Sequence, residues 1–489
     1  MSELIQIVSD PQGAILESTA SINLFLAGIG SGKSHLNGIK SYQFINMFPN
    51  CTGFIGANFY DQLNTSTLFR IREYWKSIGV VEYDKDTPHG MYVVGKKPPS
   101  HFKTANHNFD SYHNIISFVN GHVIFMGSMD NAKAHEGKEI AYAFLDETKD
   151  TEESDVKEII IGRLRQKGMY MVNGKLSNEG TPEQQYNPLF ITTSPAKVPW
   201  IAEWFNLDEY VNEISSLIYS DKTFFKKSFK DKFVTISSTY HNVRNVGINY
   251  INKLLSENTE ERGRALVYGN PFATTGGEFY SSFNRMKHVE RISYNPEIPI
   301  HLSFDQNTVP YNSASLWQIE GRDGIWYIDC IDEIALVNPR NSTEEVCEEF
   351  SLRYANHKAG IFFYGDASGK ARSTMNRDFK HHYEIIEYML RKYLVNGSDR
   401  TTRKNPSVVK RRDFVNVIFE GKHPIRIRVN ESCKYLIGDL MYLKQGLDGT
   451  KDKHVVTDKE TGEKYQKYGH LSDGMDYILT ELFKDYYNG

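Results

Sequence analysis

Short apolar runs alternate with amphipathic stretches along the first part of this chain. Residues 22–26, 52–58, 141–145 and 189–191 are near-continuous apolar runs of strand length, as expected for strands buried on both faces. Residues 63–78 read as a helix and 159–165 as a basic helix or helix end. Residues 115–126 carry Asn120-Gly121 between two apolar arms, a hairpin signal. This order predicts an α/β domain with a parallel-sheet core over 1–198.

The pattern then changes. Residues 199–290 are helical in pattern, rich in Tyr and Lys, and read as a connecting subdomain. A second α/β pattern follows over 291–489. Its strand signals fall at 300–305, 314–319, 324–329 and 360–366. Arg426 and Arg428 alternate on a further strand, and 396–406 and 446–468 read as long loops or exposed hairpins.

Composition adds limits. The 489 residues suffice for two or three domains, and the net charge of −4 does not announce a nucleic-acid binder. No apolar run is long enough to span a membrane, and the first residues lack a secretory pattern. Cys51, Cys330, Cys347 and Cys433 form no metal-type pair and read as reduced thiols. A cytosolic protein is expected.

The chemistry lies at the ends of the runs. The first leads into Ala27-Gly28-Ile29-Gly30-Ser31-Gly32-Lys33-Ser34. In such a loop, glycine backbone N–H groups close around phosphate oxygens, Lys33 reaches the β- and γ-phosphates, and Ser34 can ligate Mg²⁺. Ala27 stands where the consensus has its first glycine. The run at 141–145 ends in Asp146 and Glu147, suited to holding Mg²⁺ through water and to polarising an attacking water. Read alone, each has a plainer alternative: a Gly-rich turn, and an acidic strand end. Together they point to ATP hydrolysis.

In the C-terminal half, Asp305 and Asp366 each close an apolar strand, and Asp473 opens a helix-like segment. Such acids suit divalent ions acting on a phosphodiester. Asp473 reads equally as a helix N-cap. Asp329, Asp332 and Asp476 are candidate additional ligands, with solvated carboxylates the plainer reading. The bases Arg400, Arg403, Lys404, Lys410, Arg411 and Arg412, with the lysines of 446–468, suit DNA phosphates or a solvated face.

A P-loop ATPase, a connector and a three-Asp nuclease, in this order, resemble the large terminase subunit of tailed bacteriophages over nearly the whole chain. The resemblance implies an N-terminal P-loop ATPase, a helical connector and a C-terminal ribonuclease H-like nuclease domain. It implies that ATP hydrolysis drives double-stranded DNA into a procapsid, and that a two-metal endonuclease cuts concatemeric DNA at initiation and termination. The implied cofactors are ATP with Mg²⁺ and two Mg²⁺ or Mn²⁺ in the nuclease site, on Asp305, Asp366 and Asp473. Thr192-Thr193-Ser194 resembles the family's coupling motif, and Gln12 its adenine-contacting glutamine. The implied partners are double-stranded DNA, the small terminase subunit and the portal protein, in the cytoplasm of an infected bacterium. A ring-shaped homo-oligomer is expected on docking, and a monomer before it. Ile29 stands where the family usually has an arginine, and 133–137 offers no arginine before the second motif. Arg163 and Arg165 are therefore the arginine-finger candidates. Two other readings stay open: a helicase or repair ATPase with a non-catalytic DNA-binding C-terminal domain, and a nucleotide-gated scaffold that turns over neither ATP nor DNA.

Overall fold

The computed structural model describes residues 7–104, 109–195, 198–218, 222–258, 260–273, 276–305, 309–370, 381–446, 448–452, 455–457 and 464–488. The chain forms two compact units, Met1–Thr275 and Gly276–Gly489.

In the first unit the strands are β1 (Ile22–Ala27), β2 (Thr52–Ala57), β3 (Tyr92–Val94), β4 (Ile115–Phe118), β5 (Val123–Ser128), β6 (Tyr142–Asp146), β7 (Tyr170–Val172), β8 (Lys175–Ser177), β9 (Leu189–Thr193), β10 (Phe225–Phe229) and β11 (Lys232–Ser237). One sheet runs β10-β11-β1-β9-β6-β2-β5-β4-β3, while β7 and β8 form a separate hairpin. From β11 to β5 the pairs are parallel. Both faces are covered, which is why the central strands read as continuous apolar runs. Phe44, Tyr142, Phe144 and Phe190 pack together on one face. Losing one such ring costs about 3–5 kcal/mol. Asn120-Gly121 does turn β4 into β5, with Gly121 at φ +89°.

The segment read as helical contributes strands as well. Phe225, Phe229 and Phe233 fall on β10 and β11, which fold back on each other through Lys230 at φ +48°. The lysines between them mask the alternation. In Ile22↔Lys232 register, β11 lies directly beside β1.

In the second unit the strands are β12 (Val289–Glu290), β13 (Ile300–Asp305), β14 (Asn312–Arg322), β15 (Ile325–Leu336), β16 (Ile361–Gly365), β17 (Ser398–Asp399), β18 (Ile425–Asn430), β19 (Val455–Thr457) and β20 (Lys464–Gln466). The sheet order is β12-β18-β15-β14-β13-β16-β17, and β19 and β20 pair separately. Strands β13, β14 and β15 form an antiparallel meander, with β16 parallel to β13 and β18 parallel to β15. The helices Thr343–Arg353 and His382–Leu390 supply residues to one core. The helix His470–Leu482 packs on β13, β14 and β16.

Two carboxylates cap helices here. Asp439, fully buried, accepts from Gly469 N at 2.8 Å and Ser472 N at 3.0 Å, fixing the start of His470–Leu482. Glu333 does the same for Lys434–Tyr442, accepting from Tyr435 N at 2.8 Å and Leu436 N at 2.9 Å. Burial outweighs those bonds and pushes the Glu333 carboxyl from its ordinary 4.5 up to about 7. The folded state therefore holds this proton more tightly than the unfolded state. Stability falls as pH rises from 4.5 through 7, and the loss is complete above that window. Glu333→Gln removes the charge and keeps an acceptor. We expect it to raise the melting temperature of the second unit by a few degrees at about pH 8, about 2 kcal/mol, and to leave it unchanged at about pH 4. Scanning calorimetry at both pH values checks this; an equal shift at both would refute it.

Among the described residues all four cysteines are free and buried, and no helix is long and apolar enough to cross a membrane.

Candidate functional site

The glycine-rich loop joins the end of β1 to the helix Lys33–Met47. Gly30 and Gly32 lie at φ +77° and +86°, a region costly for any side chain, so the loop turns its backbone inward only with glycine there. Gly28 is needed for another reason: a Cβ on it would stand 2.4 Å from Val267 O and from Thr239 Oγ1. The loop is braced on that side. Gly28 N donates to Ser237 O, Ile29 N to Leu266 O at 2.7 Å, Thr239 Oγ1 to Ile29 O and Asn242 Nδ2 to Gly30 O. Lys33, 7% exposed, donates to Ala27 O and Gly28 O and lies 3.6 Å from Glu147 Oε1. Buried Ser31 Oγ has no hydrogen-bond partner. It is an orphan donor on a loop shaped for an anion.

Asp146 ends β6, two strands from the loop. Its Oδ2 accepts from Ser34 Oγ at 2.9 Å and Thr67 Oγ1 at 2.8 Å, and its Oδ1 from Thr192 Oγ1 at 2.7 Å. Burial and the neighbouring Glu147 charge raise the Asp146 carboxyl, and the three hydroxyls act against them. Glu147 follows in the left-handed region at φ +51°. Asn58 Nδ2 holds its carbonyl, and its N–H donates to Thr192 O. Its carboxylate accepts from Ser194 N at 3.0 Å and Ser194 Oγ at 2.7 Å. Burial would raise this carboxyl, but Lys33 and the Ser194 bonds outweigh it, and Glu147 is held below the ordinary carboxylate range. The segment 192–194 thus touches both acids.

A cleft of about 960 Å³ opens over the loop, lined by Gln12, the loop, Arg70, Tyr74, Glu147, Ser194, Arg244 and Val246 among others. Gln12 is at its wall, with Nε2 donating to Gly32 O at 3.0 Å. Arg163 and Arg165 lie away from it. They hydrogen-bond to Ile140, at the end of β6 opposite Asp146. The described arginines lining this cleft are Arg70 and Arg244, which the sequence did not single out.

The second unit gathers its acids at one end of its sheet. Phe304 and Gly365 are register partners on parallel strands, so Asp305 and Asp366, the next residues, stand side by side. On the helix His470–Leu482, His470, Asp473 and Tyr477 are spaced by three and four and share a face. His470 Nδ1 meets Asp305 Oδ2 at 2.9 Å, and Tyr477 OH donates to Asp366 Oδ2 at 2.8 Å. Asp473, between them, faces the same place. Asp366 Oδ1 also accepts from Ser368 N, and its carboxyl stays low: burial raises it, but the Asn405, Ser368 and Tyr477 bonds outweigh that.

The three acids converge without forming a three-ligand set. Among the described residues no group of three or more His, Cys, Asp or Glu side chains is arranged to hold a metal ion. Asp473 is engaged instead by Arg411 and Lys451, both buried. Arg411 is therefore not on a DNA-facing surface, as its basic neighbours suggested. Asp476 is not solvated either: it is fully buried and accepts from Tyr280 OH at 2.9 Å. Asp329 pairs with Arg428, and Asp332 with Arg353. Arg403 and Lys404 are exposed, next to Asn405, whose side chain accepts from Ala367 N beside Asp366. Lys453 and Lys459 of the expected basic loop lie outside the described residues.

A braced glycine loop between a central parallel strand and a helix, with paired acids two strands away, defines a P-loop nucleotide-binding fold. The second unit is a ribonuclease H-like mixed sheet. The chain belongs to the family of large terminase subunits: the model of the T4-like-virus type N-terminal region matches residues 24–285, just over half of it. No curated protein sequence matches it significantly. Similar solved structures include the large terminase of a thermophilic bacteriophage in complex with ADP, at 16% identity, TM-score 0.37, and coverage of 98% of this chain and 100% of that one. The ATPase domain of the large terminase of Thermus phage P74-26 is 14% identical over 53% of this chain and 92% of that one, TM-score 0.33. The nuclease domain of the P22 large terminase is 7% identical over 36% and 84%, TM-score 0.27.

Proposed function

We propose that this chain is a DNA-packaging motor that hydrolyses ATP in its first unit and cuts DNA in its second. The observation that carries the reading is the convergence of Lys33, Ser34, Asp146 and Glu147 on the glycine loop. Lys33 Nζ, now on two loop carbonyls, has the reach to hold the terminal phosphates of ATP. Ser34 and Asp146 would hold Mg²⁺, which supplies charge neutralisation for the phosphates when bound. Glu147, kept ionised by Lys33 and Ser194, orients water for attack on the γ-phosphate. Loss of that phosphate frees Lys33 to return to Glu147, and Ser194 carries the change into 192–194, the proposed coupling segment. Gln12 is proposed to contact the adenine and Arg163 or Arg165 to act on a neighbouring subunit.

In the second unit Asp305, Asp366 and Asp473 are the proposed nuclease acids, with a divalent ion supplying Lewis acidity at the scissile phosphate. Arg403 and Lys404 are proposed phosphate contacts. The domain division 1–198, 199–290 and 291–489, the partners (double-stranded DNA, small terminase subunit and portal protein), the docked ring and the location in the host cytoplasm complete the proposal.

The test uses purified full-length chain with supercoiled plasmid, with and without ATP, in Mn²⁺ or Mg²⁺. We expect ATP turnover and plasmid cutting that chelator abolishes. A preparation with neither activity would overturn the proposal. Strand separation without metal-dependent cutting would favour the helicase reading.

Thr67 gives a finer test of the first site. Thr67→Val removes one of the hydroxyls on Asp146 and is expected to weaken the Mg²⁺ dependence of ATP turnover about tenfold, while Thr67→Ser keeps it. Identical Mg²⁺ titrations for all three proteins would show that Thr67 plays no part.

A further inference from the structure

The three acids of the second unit are held in different ways. Asp366 is held by neutral donors, Ser368 N and Tyr477 OH, and Asp305 by His470. Asp473 Oδ1 instead accepts from Lys451 Nζ at 2.9 Å and lies 2.9 Å from Arg411 Nη2 in an ion pair. Lys451 Nζ also donates to Ser472 Oγ at 3.0 Å and lies 3.4 Å from Asp476 Oδ2. Arg411 Nε lies 3.6 Å from that same oxygen. Lys451 and Arg411 are 6% and 4% exposed.

Buried charges persist only when paired, and here two cations face two carboxylates. An oxygen already within 2.9 Å of two cationic nitrogens is a poor ligand. A divalent ion on it would also stand against two buried positive charges in a poorly screened place. Asp305 and Asp366 stand side by side and offer hard oxygen donors, with the single imidazole of His470 on Asp305 and neutral donors on Asp366 in place of the buried Lys–Arg pair that faces Asp473.

We infer that the nuclease site of this chain takes one divalent ion, on Asp305 and Asp366, and that Lys451 and Arg411 stand in for a second by neutralising Asp473. The inference rests on the nuclease reading above and narrows the two-ion expectation. Asp473 is then a positioning residue for the buried cations.

The test counts ions. Nucleotide-free full-length chain carrying Asp146→Asn, so that the first unit contributes no ion, is titrated with Mn²⁺ by calorimetry and electron paramagnetic resonance. The titration is run alone and with a short DNA duplex. We expect one protein-bound Mn²⁺ with the spectrum of an isolated ion, lost in Asp366→Asn and kept in Asp473→Asn. Lys451→Met should admit a second ion, giving a spin-coupled pair. Should that variant fail to fold by circular dichroism, the Asp473→Asn titration decides, since loss of the ion there makes Asp473 a ligand and overturns the inference. Two coupled ions in the protein with Lys451 intact would overturn the inference and leave the nuclease reading standing. No bound Mn²⁺ together with no Mn²⁺-dependent cutting would overturn both.

Discussion

Replacing Glu147 with glutamine should cut ATP turnover by roughly three orders of magnitude and leave ATP affinity within a few-fold. The side chain keeps its shape and can still accept from Ser194. What it loses is the negative charge that aligns and deprotonates water. The wild-type carboxylate is well prepared for this, since Lys33 and Ser194 keep it ionised despite burial. Lys33→Ala should instead lose binding, because the ammonium is the proposed phosphate-holding group of the loop. Quench-flow turnover with a fluorescent-nucleotide titration separates the two outcomes. If Glu147→Gln turns over ATP at the wild-type rate, water is activated by another group and the assignment is wrong.

Asp366→Asn should lower metal-dependent plasmid cutting by at least about a hundredfold and leave ATP turnover as in the wild type. Asp305→Asn should behave alike. The independence has a structural basis: each unit has its own core, and these acids sit at the end of the second sheet. The crossed comparison is the informative one. Glu147→Gln should still cut plasmid while Asp366→Asn should still hydrolyse ATP, each measured on protein with wild-type circular dichroism. An ATPase defect in Asp366→Asn comparable to that of Lys33→Ala would exclude separable sites.

The sequence revealed those parts of the sites whose requirements are local. Gly30 and Gly32 need positive φ, Lys33 and Ser34 follow them on the next turn, and Asp146 closes a strand whose neighbours are all apolar. Asp305 and Asp366 were visible because each ends a buried strand. What stayed hidden depends on register or on distant partners. Thr67 reaches Asp146 from a π-helical turn, Leu63–Thr67, which an ideal 3.6-residue period does not anticipate. Lys451 lies in a polar loop and looks solvated until Asp473 and Asp476 are brought to it. Strands β10 and β11 were read as helix because lysines fill the positions between their phenylalanines.

The bracing of the glycine loop has a mechanical consequence. Ile29 is gripped from both sides, by Leu266 O on its N–H and by Thr239 on its carbonyl, and Gly28 has no room for even a methyl group against Val267. The loop therefore has no slack on that side. Any shift beyond a few tenths of an ångström must either break these bonds, at about 1 kcal/mol each, or drag 237–242 and 266–269 along with it. The loop and these two segments are therefore mechanically coupled: a displacement of one is passed to the other through these bonds.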